Sequence, residues 1–187
     1  MKILYVSTVL STVNVFLIPH LNFLKQQGHE VGIAANPSDS TESIAESLGI
    51  KIHPIPFTRS PYSSKNWEAK KLIKNIVEKE GYQLIHVHTP IASFYTRLAL
   101  RKKKDVKIFY TVHGFHFYKG APLKNWLVYY PLEKWASRYT DCLITMNGED
   151  YEAAKKFKLR GQGKVFYING VGVNLQHFYP RSAKEKE

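Results

Sequence analysis

The chain has 187 residues, 44% of them hydrophobic, enough for one well-filled core and too few for two full-sized domains. Lys and Arg outnumber Asp and Glu by 27 to 15, a formal charge of +12 that favours an anionic partner: nucleic acid, an anionic membrane surface or phosphorylated small molecules. A single cysteine, Cys142, excludes an internal disulfide, and its apolar run DCLITM marks it as a buried, inert thiol compatible with a reducing compartment.

Met1 to Ile18 has the outline of a signal peptide. Ser7, Thr8, Ser11, Thr12 and Asn14 interrupt it, no small-residue cleavage site follows, and it reads as structure. Lys2 to Val9 is a nearly continuous apolar run suited to a parallel strand buried on both faces. A Ser/Thr turn over Leu10 to Val13 leads into a helix to about Gln27, with Leu17, Leu21 and Leu24 at helical spacing and Pro19 making its start irregular. His29 to Asn36 is the second strand, Thr41 to Leu48 a short helix, and Ile50 to Phe57 a third strand that Pro54 and Pro56 push to a sheet edge.

Arg59 to Asn66 reads as a polar, mobile loop, and Trp67 to Lys79 as a basic helix with Leu72, Ile73, Ile76 and Val77 on its apolar side. LIHVHTP from Leu84 begins the fourth strand. Ile91 to Arg101 is a helix whose terminal run, Arg101 to Lys104, complements its dipole. In the fifth strand, Lys107 to Val112, Ile108, Tyr110 and Val112 share one face, with Phe109 and Thr111 on the other.

Leu123, Leu127, Tyr130 and Leu132 to Tyr139 mark an aromatic helix kinked at Pro131. Asp141 to Met146 is a sixth strand, Asn147 to Asp150 leads into a helix over Tyr151 to Phe157, and Lys164 to Ile168 is a seventh strand. Strands alternating with helices predict a Rossmann-like, doubly wound, mainly parallel α/β sheet of about seven strands over residues 1–170. Residues 171–187 follow as a linker and tail.

Three strand ends collect polar groups. Thr8 to Asn14 after the first strand can present backbone N–H groups to a phosphate, although N-capping by Ser11, Thr12 or Asn14 accounts for it equally well. His86 and His88 fall on one face of the fourth strand at a spacing that also fits two zinc ligands. No carboxylate or Cys pair stands nearby, and His86 reads better as a satisfied core histidine, with His88 facing a ligand. After the fifth strand, His113-Gly114 followed by Phe115, His116, Phe117, Tyr118 and Lys119 offers imidazoles for sugar hydroxyls beside an aromatic wall. No nucleophile–base pair, P-loop or closely spaced carboxylate pair appears.

These stretches together resemble the N-terminal, acceptor-side domain of family 4 retaining glycosyltransferases of the GT-B type, in the subgroup working in bacterial exopolysaccharide or capsule assembly. The resemblance rests on KILYVST, Pro19-His20 with LKQQGHEV, IHVHTP, YTVHGFHFYKG, ITMNGED and INGVGVNLQHFYP, in that order across nearly the whole chain. It implies one half of a GT-B fold. A second Rossmann-like domain would carry most nucleotide-sugar contacts and a pair of glutamates, and this half alone would be inactive or nearly so.

By the same resemblance, His113 would bond a hydroxyl of the donor sugar and Gly114 would leave room for it. Ser11 and Thr12 would lie by the donor diphosphate. His88, Thr89 and His116 would line the cleft on the acceptor side, with Asn147 and Glu149 facing it. Many relatives carry a Gly-rich turn after the first strand, where this chain has Thr8 to Val13.

The implied activity is metal- and cofactor-independent transfer from a nucleoside-diphosphate sugar to a lipid-linked saccharide. The enzyme would be cytoplasmic, peripheral at the inner membrane face through helix 67–79 and Arg101 to Lys104, with no nucleic acid involved. A non-catalytic domain binding phosphate ligands or nucleic acid is the rival reading, and a zinc hydrolase the third.

Overall fold

The structure, a computed structural model, describes residues 1–38 and 47–172. Most of the helix expected over Thr41 to Leu48, and the chain beyond Gly172, lie outside the described residues. Seven strands form one sheet: β1 (Lys2–Val9), β2 (Glu30–Asn36), β3 (Lys51–Pro54), β4 (Leu84–Val87), β5 (Lys107–Val112), β6 (Cys142–Thr145) and β7 (Lys164–Tyr167). Every pairing is parallel and the spatial order is β3-β2-β1-β4-β5-β6-β7. β3 is shorter than the Ile50 to Phe57 expected, ends at Pro54, and is an edge strand as its sequence requires.

The apolar run of β1 is explained by its place. It lies between β2 and β4, and alternate side chains enter separate cores on the two faces of the sheet. Ile3 and Tyr5 pack with Val31 and Ile33 beneath α1 (Leu10–Phe16) and α2 (Ile18–Gln26). Leu4 and Val6 pack on the opposite face with Ile85, Ile108, Tyr110 and Leu143. That second face is covered by α3 (Lys65–Glu80), α4 (Pro90–Leu100), α5 (Leu123–Ala136) and α6 (Gly148–Ala154). Gly32 on β2 is a close approach: a Cβ there would stand 2.0 Å from the Tyr82 hydroxyl, which bonds His53 at 2.9 Å.

Two local expectations are corrected. The Ser/Thr stretch after β1 is not a turn, because the backbone becomes helical at Leu10, with Val9 as an N-cap that makes no side-chain bond. Leu10 and Val13 are both buried, and a helix starting at Leu10 turns them to the same core. The helix then breaks at Leu17 and restarts as α2 with Pro19 in its first turn, the one place where a missing N–H costs little. Pro131, by contrast, sits inside α5 without ending it.

Candidate functional site

All strands being parallel, the segments after β1, β4, β5 and β6 emerge at one edge of the sheet. The chain order reverses between β1 and β4, which places the crevice expected of such sheets at their carboxyl ends. Thr8 and Thr89 pin that crevice shut at its base: Thr8 N–H donates to Thr89 Oγ1 at 2.8 Å, and the two hydroxyls lie 2.7 Å apart. Thr89 is thus held to β1 while still lining the cleft above.

The histidines stand side by side across the sheet with tilted rings. His86 bonds the Thr111 hydroxyl through Nε2 at 2.7 Å, which makes it the satisfied core histidine that its sequence position favoured. His88 is buried, stacked on Tyr5 with ring centres 5.1 Å apart, and its Nδ1 lies 3.4 Å from Nε2 of His113. Burial holds His86 down to about 3 and His88 well below the ordinary imidazole value, with neighbouring histidines adding to both effects. Packing on the inner side of His113 lowers its pKa too.

The cluster is therefore neutral at physiological pH, a set of single donors and acceptors rather than cations. His88 Nε2 and Ser7 Oγ are buried and have no protein hydrogen-bond partner among the described residues. No group of three or more His, Cys, Asp or Glu with metal-binding geometry occurs among those residues.

Gly114 follows with φ 143°, and a Cβ built on it would meet no protein atom within 4 Å. Glycine is required there by the backbone, and the space above it is open. Beyond it the chain alternates. Phe115 and Phe117 are buried, stacked 4.5 Å apart and packed near Phe157, so they belong to the core while also lining an apolar groove beside Gly114. His116 points outward against Tyr129, with ring centres 4.6 Å apart.

A cleft of about 310 Å³ contains Thr12, Thr89 and His116 among its lining residues, together with Arg59 and Tyr129. Arg59 was hidden in the polar loop of the sequence. That loop is fixed: Asn66, fully buried, accepts from Thr58 N–H at 2.9 Å and donates to the Ser60 carbonyl at 2.8 Å, and the Tyr95 hydroxyl donates to the Pro61 carbonyl. Ser11 and Thr12 stand half-buried in the first turn of α1, not in a loop.

Asn147 and Glu149 hold the wall of the site. Asn147 is the N-cap of α6, its Oδ1 accepting from Asp150 N–H at 2.8 Å and its Nδ2 donating to Asp150 Oδ2 at 2.7 Å. Asp150, buried and missed as a site residue, accepts the Phe115 N–H at 3.2 Å, and the Glu149 carboxylate accepts from Lys119 N–H. The loop after β5 is fastened at both ends to the first turn of α6. The Asn-x-x-Asp spacing of a helix start was the available signal.

Cys142 is buried on β6, and burial pushes its thiol up to about 11. No helix among the described residues is long and apolar enough to cross a membrane.

Residues 2–147 match the family model described as glycosyl transferase 4-like. The chain is 42% identical over 188 residues to EpsD of Bacillus subtilis (strain 168), provisionally named a glycosyltransferase, in an alignment covering 100% of this chain and 48% of that protein. It is 32% identical over 115 residues to the UDP-Gal:α-D-GlcNAc-diphosphoundecaprenol α-1,3-galactosyltransferase of Escherichia coli, covering 60% of this chain and 30% of that enzyme. Among solved structures, sucrose-phosphate synthase from Thermosynechococcus elongatus superposes with a TM-score of 0.73 at 18% identity, over 97% of this chain and 50% of that one. That likeness shows the fold. The chain spans about half the length of EpsD, and less of the galactosyltransferase.

Proposed function

Because the chain belongs to the glycosyl transferase 4-like family, we propose that it forms the acceptor-side half of a retaining enzyme. That enzyme moves a sugar from a nucleoside-diphosphate donor to a lipid-linked saccharide in exopolysaccharide or capsule assembly. The observation that carries the reading is the meeting of a neutral His88–His113 pair with an open Gly114 at the carboxyl end of β5, beside the topological switch point. The E. coli relative, named for a UDP-sugar donor and a diphosphoundecaprenol-linked acceptor, supports the substrate classes.

A diphosphate is already a good leaving group, so the protein's task is to orient two substrates and to stabilise charge as it develops. His113 engages His88 through Nε2, which leaves Nδ1 to meet a hydroxyl of the donor sugar over Gly114. Thr12 and Arg59 line the cleft that also holds Thr89 and His116, and offer a hydroxyl and a cation to phosphate oxygens. Ser11, one residue earlier on α1, supports that side. His116 and Thr89 face the acceptor. Neither a metal nor a further cofactor is needed for these roles.

The test is His113→Ala in the enzyme carrying both halves, with sugar transfer and thermal unfolding measured together. Transfer falls by about 100-fold or more at unchanged melting temperature. Near-normal turnover in a folded variant would overturn the role. The 187-residue chain alone shows little or no transfer; robust transfer would refute the two-half reading.

A further inference from the structure

The resemblance places His88 in the cleft, and the structure withdraws it. His88 is 4% exposed and lines neither the cleft of Thr12 and Arg59 nor the apolar groove beside Gly114. Its backbone N–H donates to the Val6 carbonyl at 3.1 Å, which keeps the chain paired to β1 one residue past β4. Its ring lies 16° from the plane of Tyr5, and the His86 ring, itself tied to Thr111, stands 4.2 Å away. A ring packed in this way is held in place and lies too deep to touch a substrate. It reaches the site through its Nδ1, which meets Nε2 of His113 at 3.4 Å. His113 is the exposed member of the pair, next to the open space at Gly114.

Two neutral imidazoles facing each other share one proton, and the ring that owns it decides what the other can offer. Were it the proton of His113 Nε2, His88 would carry its own on Nε2, a buried N–H without a protein acceptor among the described residues. Were it the proton of His88 Nδ1, the same place would hold a bare lone pair. A buried N–H left without an acceptor is the rarer of the two. The proton therefore belongs to His88. His113 then has a bare Nε2 and carries its proton on Nδ1, the tautomer that a free histidine side chain populates less.

We propose that His88 is the positioning residue for His113: it donates from Nδ1 to His113 Nε2 and so holds the His113 proton on Nδ1, ready to be given to a sugar hydroxyl. The inference rests on the functional reading above, in which that nitrogen meets the donor sugar. It adds a direction to the contact, since the imidazole donates to the sugar oxygen. A carboxylate in place of His88 would hold the opposite tautomer, and its charge would draw His113 toward imidazolium. A buried neutral ring sets the tautomer and leaves the charge of the site unchanged.

Nitrogen-15 spectra of the 187-residue chain, labelled at histidine and assigned with His113→Ala, read the tautomer directly. The expected spectrum of His113 has a protonated Nδ1 and a bare Nε2. His88→Phe keeps a ring against Tyr5 and removes both nitrogens, and in it the His113 proton moves to Nε2. His88→Asn, whose amide reaches the place of Nδ1 and donates there, restores the Nδ1–H form. In the enzyme carrying both halves, His88→Phe lowers kcat for sugar transfer by about tenfold, the worth of one neutral hydrogen bond, and His88→Asn recovers most of it. Circular dichroism confirms that each variant is folded.

A His113 proton found on Nε2 in the unaltered chain would overturn the proposal. So would a tautomer indifferent to His88→Phe, or transfer slowed equally by Phe and Asn, which would mark His88 as a packing residue. Normal transfer by His113→Ala sinks the functional reading alone, with the spectra still upholding or overturning the tautomer.

Discussion

The two edges of the sheet treat their polar groups in opposite ways. At the amino ends of β5 and β6, Arg160 donates to the Lys103 carbonyl at 2.8 Å, to the Val106 carbonyl and, through Nε at 3.1 Å, to Asp141 Oδ1, while a second contact joins Arg160 to Asp141 Oδ2. Asp141 also accepts the Ile108 N–H at 2.8 Å and pairs with Lys107. At the carboxyl edge, tilted imidazoles meet in place of an ion pair, His88 Nε2 and Ser7 Oγ have no protein partner among the described residues, and Gly114 holds a positive φ. One edge spends its polar groups on itself. The other keeps donors and acceptors for something else, and its rigidity is imported from Asp150 and Thr89.

Substitutions that exploit this contrast separate stability from activity. The largest expected effect is Arg160→Ala: leaving Asp141 with only the Ile108 N–H and the exposed Lys107, and two carbonyls without their donor, should cost about 2–4 kcal/mol of stability in urea titration. A loss below about 1 kcal/mol would mean that the clamp is only a surface ion pair.

Next comes pH. The unfolded chain's histidines take up protons near pH ~6.5, whereas folded His86 and His88 resist them because of burial. Stability is therefore intact above that pH and falls as pH drops below it, by about 2 kcal/mol at pH 5 from His86 alone. His86→Gln should flatten the melting curve's dependence on pH between 7 and 5, and an unchanged slope would show that the cluster does not carry it.

The smallest is Gly114→Ala. The positive φ costs the variant about 1–2 kcal/mol of stability, with no protein clash to add to it. Its transfer activity should fall further than that stability loss explains, because the methyl group occupies the proposed donor space.

Much of the fold was legible because it is written in local pattern. The continuous apolar run of β1, the alternation in β5 and the prolines in and just after β3 each report burial and position in the sheet directly. The edge on which the site lies followed from parallel topology alone. What stayed hidden depends on partners far along the chain. Nothing local marks Arg97 as buried: what encloses it is Glu133, 36 residues later, and the ring of Tyr110.

Asp150 reads as a helix-start acid until it is found holding Phe115, 35 residues earlier. The aromatic loop divides its side chains by a local pattern. Phe115, His116 and Phe117 alternate like a strand, so the two phenylalanines are buried and line the apolar groove, and only the histidine also reaches the cleft of Thr12 and Arg59.

The pairing of β1 with β4 has a consequence for how the molecule comes into being. β1 lies next to the central strand β4 although 81 residues separate each of their paired positions, and the Thr8–Thr89 contact that closes the crevice spans the same 81. Nothing at the carboxyl edge can assemble until β4 has emerged and docked, so the cleft is among the late products of folding, governed by a long loop closure. A nascent chain halted before Leu84 would hold β1 and β2 side by side with a bare edge. Chaperone capture or aggregation of such stalled chains, relieved once residue 89 is out, is the cellular signature of a site built across the middle of its own sequence.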